Sequence, residues 1–390
     1  MYMPKVHVEE HDSWSAVLGM DTFEGTYDKS LARGAQAAAD DVLALKKDER
    51  MLIISNPAKE ITEISKAMFD IALERKAAPT LIFQKTKGQF DFAEEEVIKA
   101  ISSSPEIVLS ISQDRLGKDR FGMKHGYKGK HRYDHIFTKL HEEKEIRGFW
   151  SPGITSDMFR RTVPIDYSQL RSDCSRVIKM MSKGVKARVT APGGTDLLMG
   201  TRGRKPFADD GDFRKQGLAG NVPSGEVYIS PELGTATGTI AFDGSIVLHE
   251  GEIVIKKPIL AEIRNGFITS ITGGSEARKL EESVRLGESK AREGGRDGTI
   301  RADKVHDYAK NARSIGELGI GLNRKAKIVA NMLEDEKVYG TCHFAIGSNY
   351  DNDAEALIHL DGLVKRPDIT IIDRSGNEKP LMENGRLAWD

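Results

Sequence analysis

The residues best suited to chemistry lie in the C-terminal half, in GTCHFAIGSNYDNDAEALIHLDG. His359 stands two positions before Asp361, and in a strand positions i and i+2 face the same way. One imidazole and one carboxylate on such a face can bind a divalent cation from one side, and a strand holds them rigidly. His343 lies 16 residues before His359, a spacing that suits two neighbouring strands and their connection, and seven before Tyr350. Taken alone, an HxD pair equally describes an ordinary hydrogen-bonded strand histidine. Two further carboxylates sit in unusual settings. Glu226 follows Pro223-Ser224-Gly225 and opens an apolar strand, where an edge-strand surface position is the plain alternative. Glu317 is embedded in GELGIGLN, where an isolated charge would be costly to bury, and a helix cap is its plain alternative. Buried carboxylates are paired or bound to metal.

The elements that must position these residues follow from hydrophobic spacing. Segments 30–46 and 60–75 carry helical periodicity, whereas 51–55, 80–84 and 106–111 are short apolar runs of strand length. This alternation predicts a mostly parallel sheet covered by helices. Residues 169–183 read as a helix entering a second region of short strands, 226–229, 237–242 and 252–255. There, Asp243-Gly244 and Asn265-Gly266 are hairpin signals. Residues 275–292 form a charged helix, and the tail GESKAREGGRDG reads as a linker. The expected architecture is an N-terminal α/β domain over 1–165 with a mostly parallel sheet, then an α+β domain over 166–390 with a curved antiparallel sheet.

Composition narrows the function. The chain has 58 Lys+Arg against 59 Asp+Glu, and this balance argues against a body that grips nucleic acid or an anionic membrane. Cys174 and Cys342 are far apart, which excludes a disulfide scaffold and fits a reducing cytoplasm. The N-terminal MYMPKVHVEEHDSW has no signal-peptide core, and no apolar run approaches the ~20 residues that cross a bilayer. GxGxxG after a strand, GxxxxGK[ST], HExxH and GxSxG are all absent. Residues 115–147 hold ten Lys/Arg and four histidines, His125, His131, His135 and His141, without ligand-like spacing. They read as a solvated, mobile surface loop before an anion- or metal-binding one.

PSGEVYISP, GELGIGLN, LEDEKVYGTCHFAIGSNY and ALIHLDGL, with GTDLLMGTRGR upstream, together resemble the metallopeptidase family of aminopeptidases T and S. The resemblance covers about 191–373. It implies a homodimer whose C-terminal domain holds two divalent ions (Zn, Co, Mn or Mg), with Glu226, Glu317, His343, Tyr350, His359 and Asp361 as ligands. Glu317 and Tyr350 are the catalytic candidates, and Tyr350 serves either as a ligand or as a donor to a developing oxyanion. Two ions can share a bridging hydroxide and attack a small peptide or amide. Three carboxylates offset most of their four positive charges, and this surplus of acid favours two ions over one. The same architecture also resembles the 2,5-dihydroxypyridine ring-cleaving dioxygenases. That alternative needs a single Fe(II) held partly by His359 and Asp361, with His306 or His343 as its second histidine.

Overall fold

The computed structural model describes residues 22–88 and 91–390, so the N-terminal stretch read for a signal peptide lies outside the described residues. The chain forms two compact units, one of residues 1–148 and 214–218, the other of 149–213 and 219–390.

In the first unit the strand Arg50–Ser55 lies between Ala78–Phe83 and Ile107–Ser112 and runs parallel to both. The helix Lys59–Glu74 buries Ile61, Ile64, Met68 and Ile71, a spacing of three and four that makes one apolar stripe. Leu52, Ile54, Val97, Ile101, Val108 and Leu140 share a core. Residues 115–147 are built rather than loose. They contain the helices Arg120–His125 and Ile136–Glu142 and a small pairing of Tyr127–Lys128 with Arg132–Tyr133. Asp119 organises the first part: its carboxylate accepts from Gly122 N and from the Tyr127 hydroxyl, 2.8 Å in each case. His135 caps the second helix through Nδ1.

The second unit begins at Phe149, earlier than the expected 166. The reason lies in the helix Ser156–Thr162, which is tied to distant parts of that unit. Arg161 bonds Glu334 at 2.7 Å, and Asn323 Nδ2 donates to the Thr162 carbonyl at 3.0 Å. The helix Tyr167–Met181 follows, capped by Asp166 and buried along Leu170, Cys174, Val177 and Met181.

Two antiparallel sheets then form. The larger is eight-stranded and contains Thr237–Phe242 and the hairpin of Ile259–Arg264 with Phe267–Thr272. Its Asn265-Gly266 turn has φ of 50° and 81°, the doubly left-handed backbone that such a dipeptide supplies. Asp243-Gly244 makes no hairpin: Thr237–Phe242 belongs to the eight-stranded sheet and Ser245–Leu248 to the other. Both amides of the dipeptide donate to the Leu363 carbonyl at 3.1 Å, and a Cβ at Gly244 would lie 2.7 Å from the Leu363 Cβ. Close approach, not turn geometry, requires this glycine.

The tail read as a linker is helical, part of Ser275–Asp297. Its glycines are contact points, because a Cβ would meet Ile358 at Gly287, Ile300 at Gly294 and Val305 at Gly295, each within 2.9 Å. Among the described residues no helix is long and apolar enough to cross a membrane. Both cysteines are free and buried.

Candidate metal centre

The seven-stranded sheet carries the candidate site. Across four neighbouring strands run His359–Lys365, Thr341–Gly347, Ile315–Gly321 and Glu226–Ile229, each antiparallel to the next. Register explains why the functional side chains meet. Asp361 is opposite Ala345, which is opposite Glu317; His343 is opposite Gly319; Glu226 is opposite Gly321. Cross-strand partners share a face, so the acids and imidazoles project together while Leu318, Ile320, Cys342, Phe344 and Ile346 fill the opposite, buried face.

The small residues on the reactive face make the room. A Cβ at Gly319 would stand 1.9 Å from His343 Nε2, so the imidazole lies across the space that a side chain would occupy. Ala345 separates Glu317 from Asp361 without covering either.

Glu317 is the centre of the arrangement. Its Oε1 is 3.3 Å from His343 Nε2 and its Oε2 is 3.3 Å from His359 Nε2. His359 Nε2 also lies 3.4 Å from Asp361 Oδ1, and His343 Nε2 lies 3.4 Å from Glu226 Oε2. Two groups with the spacing of metal ligands result: Glu317, His359 and Asp361, and Glu226, Glu336 and His343. Burial alone would raise the Glu317 carboxyl, but hydrogen bonds and charge from His343 and His359 prevail and hold it below the usual carboxylate range. Burial would likewise lower His359, yet Asp361 and Glu317 push it well above an ordinary histidine.

The residues fit a metal ion. Asp361 Oδ1 and Glu226 Oε2 are buried without a hydrogen bond, a costly state for a carboxylate unless a cation satisfies it. His359 Nδ1 is 2.9 Å from the Ser348 carbonyl, which places a proton on Nδ1 and turns Nε2 toward the carboxylates. That is the outer-shell bond that orients a ligating histidine.

The other candidates are placed differently. Tyr350 is 51% exposed and lies at the edge of the site, its ring 5.5 Å from that of His359 and 4.9 Å from that of Tyr228. His306 lies on the helix Val305–Asn311 and lines a separate groove with Arg292 and Phe267, whereas His343 stands among the clustered acids. Neither metal-like group of the described residues falls within 115–147.

Three side chains escaped the sequence reading: Asp209, Glu336 and Lys337. Lys337 is fully buried, with Nζ 2.6 Å from Glu226 Oε1 and 3.7 Å from Asp209 Oδ2, and it is also bonded to Glu336. Burial disfavours its charge, but Glu226, Glu336 and Asp209 outweigh burial and hold the ammonium well above the ordinary lysine range. The run Glu334-Asp335-Glu336-Lys337 looks like a solvated face, yet most of it is enclosed: Glu334 bonds Arg161, and Asp335 accepts from Val329 N and Ala330 N. The available signal was its position six residues before the His343 strand's histidine.

This fold, with its clustered acids and imidazoles, is that of a metal-binding enzyme. The family described as 2,5-dihydroxypyridine 5,6-dioxygenase matches residues 155–374, more than half the chain and a span that contains all six positions expected as ligands, and the chain belongs to that family. Among solved structures, 2,5-dihydroxypyridine dioxygenase from Pseudomonas putida KT2440 superposes with a TM-score of 0.67 at 15% identity, covering 92% of this chain and 97% of that one. Wild-type AmpT from Thermus thermophilus superposes with a TM-score of 0.63 at 16% identity, covering 92% and 99%. At these identities the two structures share the fold with this chain. No curated protein matches the sequence.

Proposed function

We propose that the chain is a ring-opening dioxygenase acting on a dihydroxylated pyridine or a similar ring, with one ferrous ion held by Glu317, His359 and Asp361. His343 stands on the other oxygen of Glu317 and completes the pair of histidines. The observation that carries the reading is the family match, because its span includes every one of these side chains. A ferrous ion held by these residues would supply the chemistry that activates dioxygen toward the ring. The chain's own residues do the rest. Ser348 fixes the His359 tautomer, the carboxylates of Glu317 and Asp361 balance two positive charges, and the Tyr228 and Tyr350 rings give a flat ring a surface to lie against. Ring opening breaks one carbon–carbon bond and keeps both oxygen atoms in the product; the ring supplies the electrons, and no further reductant is needed.

This reading replaces the expectation of two ions, which rested on surplus acid. Lys337 absorbs part of that surplus, since its ammonium already neutralises charge at Glu226. One observation favours the hydrolase as a second reading: the two oxygens of Glu317 each face a different imidazole, as a carboxylate between two cations would. The test is a paired assay of anaerobically purified, iron-loaded protein. Oxygen uptake with 2,5-dihydroxypyridine, without cleavage of aminoacyl anilides, is expected. Anilide cleavage that depends on two ions, without oxygen uptake, reverses the assignment.

A further inference from the structure

The two halves of the donor set are not equivalent. Around Glu317, His359 and Asp361, the ion pairs among the described residues involve only imidazoles. The half formed by Glu226, Glu336 and His343 already contains a cation. Lys337 Nζ sits 2.6 Å from Glu226, is bonded to Glu336 and lies 3.7 Å from Asp209, with no exposure to solvent. We infer that the Lys337 ammonium is the fixed second cation of this site, so that a donor set with places for two positive centres takes one metal ion per chain.

An ammonium suits the position physically. It is a compact point charge with three donors, able to meet several carboxylates at once. The surroundings hold it in place: Lys337 N donates to the Glu334 carbonyl at 2.9 Å, and the Lys337 carbonyl accepts from Asn323 N at 2.8 Å. Asn323 in turn donates from Nδ2 to the Thr162 and Ser224 carbonyls, at 3.0 and 2.9 Å. The backbone on either side of the lysine is therefore pinned to the loop before Glu226 and to the Ser156–Thr162 helix. A divalent ion entering this half would have to displace a fully buried charge, or share three carboxylates with it. Electrostatic repulsion opposes the second course, because the two positive centres would contact the same Glu226 side chain.

The inference rests on the metal-dependent reading of the site, but its test reads metal count and leaves oxygen chemistry aside. Metal-free full-length protein is equilibrated with excess Mn2+, and bound metal is measured per chain for wild type and for Lys337→Ala. One ion in wild type and two in Lys337→Ala are expected, with electron paramagnetic resonance of the variant showing a coupled Mn2+ pair. Any other wild-type count overturns the inference, and so does a single ion in a folded Lys337→Ala. Should the variant be unfolded without metal, Mn2+ is expected to restore the folded circular dichroism spectrum by taking the place of the lost charge. Failure of Mn2+ to restore it overturns the inference. One ion without oxygen uptake removes the dioxygenase and leaves Lys337 in its role; two ions with oxygen uptake do the reverse.

Discussion

The two units each contain fully buried strands, and they use burial in opposite ways. In the first, Ile107–Ser112 is buried throughout and offers chiefly apolar side chains to its core. In the second, Ile315–Gly321 and Thr341–Gly347 are equally buried, yet they carry Glu317 and His343. A carboxylate at the first position would be an unpaired charge; at the second it meets two imidazoles across a space cleared by glycine. What differs is the gathering of buried acids and imidazoles on one face, which makes the second sheet a candidate ligand set and the first a scaffold.

The largest effects should come from breaking that ligand set. Replacing His359 or Asp361 by Ala is expected to remove bound metal and lower turnover by more than about a thousandfold, with circular dichroism nearly unchanged. Glu317→Gln keeps shape but loses the charge between the imidazoles, and both metal affinity and turnover should collapse with it. Any of these three variants with full metal content and normal turnover would refute the role of its residue. Gly319→Ala comes next. The added methyl would stand 1.9 Å from His343 Nε2, so the ring must move, and metal affinity should fall on the order of 10–100-fold. Metal titration of the variant checks this.

Smaller effects sharpen the scaffold side of the comparison. Ile53→Ala removes a buried side chain from the first unit and should cost about 2–5 kcal/mol in stability while leaving metal per chain unchanged. Denaturant unfolding and elemental analysis read the two quantities separately. The smallest effect is expected at the half-exposed Arg50–Glu106 pair. Arg50 holds the Glu106 carboxyl down to about 2, so its contribution is present above the ordinary glutamate range and fades as pH falls toward 2. Glu106→Gln should lose less than about 1 kcal/mol at neutral pH, and the loss should shrink as pH falls through 2.

Much of this was legible before folding. The alternation in GELGIG and TCHFAIG, with polar or small residues at every second position, is a strand with one reactive face, and HxD says the same. Strands 226–229 and 237–242 match the structure in their bounds. Three features were hidden for physical reasons. Gly287, Gly294 and Gly295 looked like linker glycines because sequence does not distinguish a flexible backbone from one that a neighbour must approach closely. Asp243-Gly244 looked like a turn for the same reason. Lys337 looked like a surface charge because its partners, Asp209 and Glu226, lie more than a hundred residues away in sequence. The count of acids that favoured two ions left that lysine out.

The central claim is that this donor set opens an aromatic ring with dioxygen. Its most direct test is mass spectrometry of the product formed from 2,5-dihydroxypyridine by the iron-loaded protein under 18O2 in unlabelled water. The account predicts an opened ring carrying two 18O atoms, with one O2 consumed per ring. Product without label, or no product beside metal-dependent cleavage of an aminoacyl amide, would contradict it.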